Sequence, residues 1–355
     1  MVRWRSGNVT SLGRGWRGAQ ELTVEVADLG SVKALAYPEL VGSPEVGDRV
    51  LLNVGALTMG LGTGGYAFVV ALPDRLPPDP SGPGHVVKAR YTPLQTITLA
   101  ADEEDSPHRA VLHDATGIDA MPVVIADLHS ALPAVLAGIR AEAPTARVAY
   151  LMTDGGALPA WFSRSLSELA DWLVGTVTTG QAFGGDLEAT NVHTGLLAAR
   201  HALHADIAVV AQGPGNLGTG TPWGFSGVKV GEAVNAVAAL GGRAVGSLRI
   251  SDADPRPRHR GVSHHSLTAY GKVALAAADL VVPAPLDPAL ADDVEAALKP
   301  LAERHRLIHV PTEGLYDALW AVPVRLSTMG RGLDADTAYF LAAAAAGRHA
   351  ASRIS

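Results

Sequence analysis

The stretch Asp206–Gly220 (DIAVVAQGPGNLGTG) joins a buried strand pattern to a glycine-rich loop. Its first part, Asp206–Ala211, is a short apolar run of the length typical of a fully buried strand. The loop Gly213–Thr221 (GPGNLGTGT) follows, and a helix is predicted to begin near Ser226, with that serine as its N-cap. Strand, loop and helix in this order are the repeating unit of a parallel α/β sheet. The stretch therefore predicts an α/β fold.

The same alternation runs through residues 118–355. Apolar runs separated by amphipathic patterns indicate a mostly parallel sheet covered by helices on both faces. We predict a three-layer, Rossmann-like α/β domain that ends in a helix. Its predicted strands are Pro122–Ala126, Val148–Met152, Gly175–Thr179, Asp206–Ala211, Ala244–Ile250, Leu280–Pro283 and Leu307–Val310.

Residues 1–90 have the pattern of a small all-β module. Short runs of alternating polar and apolar residues, punctuated by Gly, Pro and Asp, are typical of a small barrel. Residues 91–117 are predicted to connect this module to the α/β domain. The predicted strands of the module are Gln20–Ala27, Ser31–Tyr37, Asp48–Asn53 and Tyr66–Leu72.

The composition excludes several classes of function. The chain has 355 residues and no cysteine, which removes a thiol nucleophile and thiolate metal sites. The net charge of −7 argues against general nucleic-acid binding, although a nucleic-acid-binding barrel using Lys88, Arg90 and Tyr91 stays a weaker hypothesis. No apolar run is long enough to span a membrane, so we expect a cytoplasmic protein. A homo-oligomer is compatible with the sequence.

Five segments carry a resemblance to a known family. The chain resembles, over roughly residues 1–332, the bacterial family called domain of unknown function 3866. This resemblance implies no activity, so the residues themselves must support any functional hypothesis. The segments are Gly60–Tyr66 (GLGTGGY), Lys88–Gln95 (KARYTPLQ), Ala149–Pro159 (AYLMTDGGALP), Gly213–Thr221 (GPGNLGTGT) and Arg258–Ser266 (RHRGVSHHS).

The glycine-rich loop is the first candidate ligand site. Backbone amides in such a loop can bind an anion at a helix start. The loop lacks the spacing of a Rossmann turn and the lysine of a Walker A loop. A loop for a non-phosphate ligand and a plain structural turn stay open as alternatives. The candidate binding residues are Gly213, Gly215, Gly218, Thr219, Gly220, Thr221 and Trp223.

The segment Arg258–Ser266 is the second candidate. Ser263 is predicted to cap a helix that carries His264 and His265 in its first turn. Neutral imidazoles at this place could act as bases or as metal ligands, and Arg258 and Arg260 could hold an anion. Adjacent helical residues point about 100° apart, so the pair is not expected to share one metal. As polar residues of a first turn, both histidines are expected to be exposed. The alternative to a ligand site is a solvent-facing cluster that only caps the helix.

Polar residues also follow other predicted strands. Parallel sheets bind ligands beyond the carboxyl ends of their strands, so these positions are further candidates. With the paired histidines, His129 and Asp154 complete the predicted catalytic set. Asp186 and Glu188 are predicted to contact a ligand, although aspartates beside paired glycines are also common turn formers. A metal site is a weaker hypothesis, and its ligands would come from Asp127, His129, Asp154, His193 and His264.

These candidates predict an enzyme that acts on a small anionic metabolite, phosphorylated or carboxylated. A hydrolase or a transferase is possible, although no cofactor is identified and no acid–base pair follows from spacing. The segment Gly224–Gly227 lacks the G-x-S-x-G spacing of serine hydrolases. A metabolite-sensing or partner-binding protein without catalysis is the alternative.

Overall fold

A computed structural model of the protein describes residues 2–62 and 64–354; Thr63, within the motif Gly60–Tyr66, lies outside the described residues. The chain forms two compact units. The first comprises Met1–Thr98 together with Trp161–Ser167, and the second comprises Leu99–Ala160 and Glu168–Ser355. Each unit has its own hydrophobic core.

The first unit contains, in its described part, a closed barrel of strands in the order β1-β2-β3-β5-β4. Alternation explains the barrel core, because Leu22, Val24 and Val26 point inward and their neighbours do not. Two short helices are α1 (Pro38–Val41) and α2 (Gly55–Thr58). The strands of the unit are β1 (Trp4–Trp16), β2 (Ala19–Val26), β3 (Gly30–Ala36), β4 (Arg49–Asn53), β5 (Ala67–Ala71) and the hairpin β6 (Val86–Lys88) and β7 (Thr96–Thr98).

The second unit contains, among its described residues, an eight-stranded sheet in which every pairing is parallel. Its order is β11-β10-β9-β12-β8-β13-β16-β17. A separate antiparallel pair, β14 (Ile250–Ser251) and β15 (Gly261–Val262), lies between β13 and β16 in the chain. The strands of the sheet are β8 (Pro122–Ile125), β9 (Val148–Thr153), β10 (Gly175–Thr179), β11 (Leu187–Ala189), β12 (Ile207–Gln212), β13 (Arg243–Ser247), β16 (Asp279–Ala284) and β17 (Arg306–Pro311).

Helices cover the sheet on both faces. Val123 and Ile125 belong to a core shared with Val230 and Val234, whereas Val124, which points to the other face, is equally buried. The sheet is therefore packed on both sides, as its apolar strands predict. The helices of the unit are α3 (Arg109–Leu112), α4 (Leu132–Glu142), α6 (Val192–Leu197), α7 (Lys229–Ala239), α8 (His264–Thr268), α9 (Pro288–Leu298), α10 (Leu315–Trp320) and α11 (Thr337–Ala351), and short 3-10 and π turns extend several of them. Helix α5 (Arg164–Glu168) lies almost entirely in the segment Trp161–Ser167, which belongs to the first unit.

Helices α4 and α11 approach each other closely through small residues. A Cβ atom on Gly138 would overlap the carbonyl oxygen of Ala344, and one on Gly347 would overlap that of Val135. The alanine run 342–346 is fully buried, and its small side chains allow α11 to lie close to α4. Glycine at these two positions therefore permits the contact.

The predicted fold class is confirmed in both units. The ends of the predicted strands differ from the observed ends by at most one residue, except that the predicted strand Ala244–Ile250 divides: β13 ends at Ser247 and Ile250 begins β14. The sequence patterns did not indicate β11, the short edge strand of the sheet. None of the helices in the described residues is long and apolar enough to cross a membrane.

The strand order reverses around β8. The chain passes from β8 to β9, β10 and β11 on one side, returns to insert β12 beside β8, and then adds β13 on the opposite side. The loops at the carboxyl ends of β8, β12 and β13 therefore diverge and leave a crevice, which is where open α/β sheets bind their ligands.

Candidate functional site

The floor of the crevice is formed where β8 and β12 end. The Nε2 atom of Gln212 donates to the carbonyl oxygen of Asp127 at 2.8 Å and to Oδ1 of Asn216 at 3.0 Å. Ser226 also donates to Asn216 Oδ1, at 2.8 Å, and accepts from the amide of Leu217. The sequence predicts Ser226 as the N-cap of the following helix, and this prediction is wrong. It ties the first half of the glycine-rich loop to the helix that follows.

The second half of the same loop satisfies its own hydrogen bonds. The amide of Thr219 donates to the Gly224 carbonyl at 2.7 Å, and the Gly224 amide donates to Oγ1 of Thr221 at 3.1 Å. This part of the loop is exposed, including Trp223, which stands near Lys272. The amides of Leu217, Thr219 and Gly224 are thus already used and do not point at an empty site. Anion binding by this loop stays a prediction.

A short hairpin brings a third histidine to the predicted pair. The strands β14 and β15 pair Ile250 with Val262 and Ser251 with Gly261, so the chain between them folds back onto the start of α8. His259 lies in a 3-10 turn within this return, and its Nδ1 atom is 2.7 Å from Oγ of Ser263. The same Oγ accepts from the amide of His265 at 3.2 Å, which confirms Ser263 as the N-cap of α8.

The imidazoles of His259, His264 and His265 form one cluster. One ring nitrogen from each lies within 4.8 Å of the others, and this is the group of potential metal ligands found among the described residues. The ring of Phe225 covers His265. His259 and His265 are buried, and His265 is only 6% exposed. The expectation that both paired histidines face solvent is therefore wrong for His265.

Several polar atoms of this cluster are buried without a partner. Within the described residues, Nε2 of His264, Nδ1 of His265, Oδ2 of Asp127 and Oε1 of Gln212 make no hydrogen bond. Asp127 Oδ2 is 3.8 Å from His265 Nδ1, which is longer than a hydrogen bond. Such unpaired buried groups are rare in folded proteins, and each calls for an explanation.

Two imidazoles of the cluster, those of His259 and His264, have lowered pKa values and lie near positive charge. Burial is the main cause that lowers the pKa of His259 to about 3 and that of His264 to about 4, and nearby cations lower both further. One of these cations is Arg258, which acts on His264. Both histidines are therefore unprotonated near pH 7, as the sequence predicted for His264.

A buried ionic network anchors the segment that carries His259. Arg249 and Asp254, both nearly inaccessible, pair at 3.1 Å, and Arg256 adds a second guanidinium to the same carboxylate at 2.8 Å. Arg331 bridges Asp254 to Asp336 at 3.3 and 2.9 Å. Hydrogen bonding to Arg256 is the main cause that holds the pKa of Asp254 well below its usual range. The network fixes the path of the chain between β14 and β15.

Arg258 and Arg260 are both exposed, and neither guanidinium forms an ion pair or hydrogen bond with the described residues. Arg258 is close enough to His264 to lower its pKa. Anion binding by these two residues stays a prediction.

The other predicted residues make local contacts, and the prediction that Asp186 lies at the carboxyl end of a strand is wrong, because it lies at the amino ends of β10 and β11. His129 hydrogen-bonds through Nδ1 to the hydroxyl of Tyr150 at 2.9 Å, and Asp154 forms an ion pair with Lys229. Asp186 accepts from the amide and hydroxyl of Thr176, each at 2.7 Å, and Glu188 accepts from the Gly184 amide at 2.6 Å. None of these four joins the histidine cluster. Their catalytic and binding roles stay predictions.

His193 lies apart from the cluster as well. It is exposed in the first turn of α6, which Asn191 caps by accepting from the amide of Thr194 at 3.0 Å. Lys88, on which the nucleic-acid hypothesis partly relied, is fully buried.

Three residues of the site were missed from the sequence. His259 precedes His264 by five positions in the quoted motif, so its spacing was visible, but only the return through β14 and β15 brings it to the pair. Gln212 reads as the polar end of a strand. Phe225 reads as an isolated aromatic residue in a polar loop, and no local pattern relates it to His265.

The comparison with known families agrees with the resemblance seen in the motifs. Residues 33–347 match the model of the family described as protein of unknown function DUF3866. The chain belongs to this family. None of the curated proteins matches the chain.

Proposed function

We propose that the protein is an enzyme, a hydrolase or a transferase, that acts on a small phosphorylated or carboxylated metabolite at the histidine cluster. The observation that supports this most is the set of unpartnered buried atoms on Asp127, His264 and His265: Asp127 Oδ2 lies 3.8 Å from His265 Nδ1, and the rings of His264 and His265 are in contact. Catalytic groups are often held in such an incompletely satisfied state because the substrate completes their contacts.

The charges around the cluster favour an anionic ligand. Arg258 and Arg260 are exposed and unpaired among the described residues, whereas Asp154 near the same edge is neutralised by Lys229. Neutral imidazoles beside free guanidiniums can accept or donate a proton while the guanidiniums hold the negative charge. Asp127, whose carboxylate faces His265, would orient that imidazole.

A thermal-shift screen tests the binding part of this proposal. We expect at least one among inorganic phosphate, dicarboxylates, phosphosugars and nucleoside monophosphates to raise the melting temperature saturably, because a ligand that binds the native state alone stabilises it. The Arg258→Ala/Arg260→Ala variant should lose this stabilisation. Arg325→Ala, which removes another exposed guanidinium, is the matched control and should retain it.

Conversion of the ligand tests the enzymatic part. Each stabilising compound is incubated with stoichiometric protein, and its products are identified by mass spectrometry. Turnover that Asp127→Asn reduces at least tenfold would support the proposal. Binding without turnover would instead favour a metabolite-sensing protein. If no anion binds, the proposed function is wrong.

A further inference from the structure

The three clustered imidazoles have the composition of a metal site. We infer that His259, His264 and His265 bind one divalent transition-metal ion of the zinc class. Two independent observations carry this inference: a ring nitrogen of each residue lies within 4.8 Å of the others, and two buried ring nitrogens of the cluster have no partner among the described residues. The metal ligands that the sequence predicts are Asp127, His129, Asp154, His193 and His264, and of these only His264 belongs to such a group in the described part of the chain.

The ring nitrogens of the three histidines need to move only slightly closer together to bind one ion. Zinc binds imidazole nitrogen at about 2.0–2.1 Å, so two nitrogens on a tetrahedral ion lie roughly 3.4 Å apart. Rotation of the side chains can supply the remaining movement, because His264 is only half-buried and the ring centroids of the adjacent pair are already 4.4 Å apart. Adjacent helical residues such as His264 and His265 point in different directions and do not readily share one ion by themselves. The hairpin adds His259 from outside the helix, so the three rings can face a common point.

Oxygen atoms beside the rings support the same conclusion. Metal-bound imidazoles commonly place their second nitrogen against an oxygen, which fixes the ring and increases its basicity. Ser263 Oγ occupies this position for His259, at 2.7 Å from Nδ1. Asp127 Oδ2, which has no hydrogen-bond partner among the described residues, stands 3.8 Å from Nδ1 of His265 and places a negative charge beside this ligand nitrogen.

The donor set selects the kind of ion. Imidazole nitrogen favours zinc, copper, iron and nickel over magnesium and calcium, which prefer oxygen. Three protein ligands leave a coordination position open, as in catalytic rather than structural zinc sites. That the open position receives an anionic metabolite rests on the proposed function; the metal site itself does not.

Metal binding by the intact, untagged protein tests the inference. Protein stripped with a strong chelator is titrated with Zn²⁺ and Co²⁺ against a chromophoric chelator, and bound metal is counted by elemental analysis. We expect one equivalent per chain, with visible Co²⁺ absorption typical of a four- or five-coordinate site. His259→Gln, His264→Gln and His265→Gln should each weaken binding at least 100-fold, and Asp127→Asn should weaken it about 10- to 100-fold.

Two exposed histidines provide controls. His113→Gln removes a surface imidazole and should bind metal as the wild type does. His193→Gln should do the same, because His193 is outside the cluster. The inference is overturned if the wild type binds less than one equivalent, or if all three cluster variants retain wild-type affinity. If a cluster variant does not fold, the wild-type titration still decides. No metabolite enters these titrations, so their failure is separate from failure of the proposed function.

Discussion

The imidazole of His265 lies flat against the ring of Phe225, with centroids 3.8 Å apart and ring planes 1° apart. Phe225 comes from the end of the glycine-rich loop and His265 from the first turn of α8, so this contact joins the two segments that the sequence singled out. The segment that follows the loop is therefore in direct contact with the histidine cluster, and a change in either segment should affect the other.

Phe225→Leu tests the energetic weight of this contact. The variant keeps an apolar side chain but loses the ring stack, so we expect a loss of about 0.5–1.5 kcal/mol in the free energy of unfolding. Urea denaturation measures it. Trp223→Leu changes an exposed aromatic residue of the same loop and should alter stability by less than about 0.5 kcal/mol. Equal effects of the two substitutions would contradict a specific role for the stack.

Asp254→Asn should destabilise the protein strongly. Arg249 is almost inaccessible, and removal of the charge it faces leaves a buried guanidinium uncompensated. Loss of one partner of a buried ion pair costs about 3–5 kcal/mol. Asp252→Asn removes an exposed carboxylate two positions away and provides the control. Urea midpoints that differ little between the two variants would show that the network does not hold this segment.

His129 should make stability depend on pH. Burial lowers its pKa to about 4 in the folded protein, whereas the unfolded chain binds this proton near pH 6.5. The unfolded state therefore takes up more protons as the pH falls, so the contribution of His129 is complete above about pH 6.5 and is lost progressively toward about pH 4.

His129→Gln should flatten this dependence. We expect the difference in unfolding free energy between about pH 7.5 and about pH 5 to shrink by on the order of 1–2 kcal/mol, at about 1.4 kcal/mol per pKa unit. His113→Gln, a substitution at an exposed position, should keep the wild-type slope. Unchanged slopes in both variants would mean that His129 titrates alike in the folded and unfolded states.

Gly138→Ala should disturb the packing of α4 against α11. The new methyl group would overlap the carbonyl oxygen of Ala344, and overpacking of a rigid contact costs about 1–3 kcal/mol. The control Gly332→Ala meets its nearest atom at an ordinary 3.8 Å and should change the unfolding free energy by less than about 0.5 kcal/mol. A Gly138→Ala variant as stable as the wild type would show that the two helices can separate without cost.

The fold could be predicted because its strands are buried on both faces. Runs such as Asp206–Ala211 have few polar residues, and this pattern is typical of parallel sheets. The strand β11 escaped prediction because it has only three residues and includes Glu188. The return of Trp161–Ser167 to the first unit depends on ring contacts with Tyr37 and Phe68, and no local pattern encodes such contacts.

The candidate site could be predicted only in pieces. The motif Arg258–Ser266 contains all three clustered histidines, but burial of His265 depends on Phe225, which is distant in sequence. The strands β14 and β15 have two residues each, too few to produce a period that sequence reasoning detects. For the same reason the role of His259 became visible only in the structure.

The network that joins Arg249, Asp254, Arg331 and Asp336 determines which segments of the molecule unfold locally together. Asp336 stands at the start of α11 and also accepts from the hydroxyl of Ser251 in β14. These contacts connect the segment that carries His259 to helix α11 as well as to the sheet. Amide protons of β14, β15 and the first turn of α11 should exchange with solvent together, as one cooperative foldon.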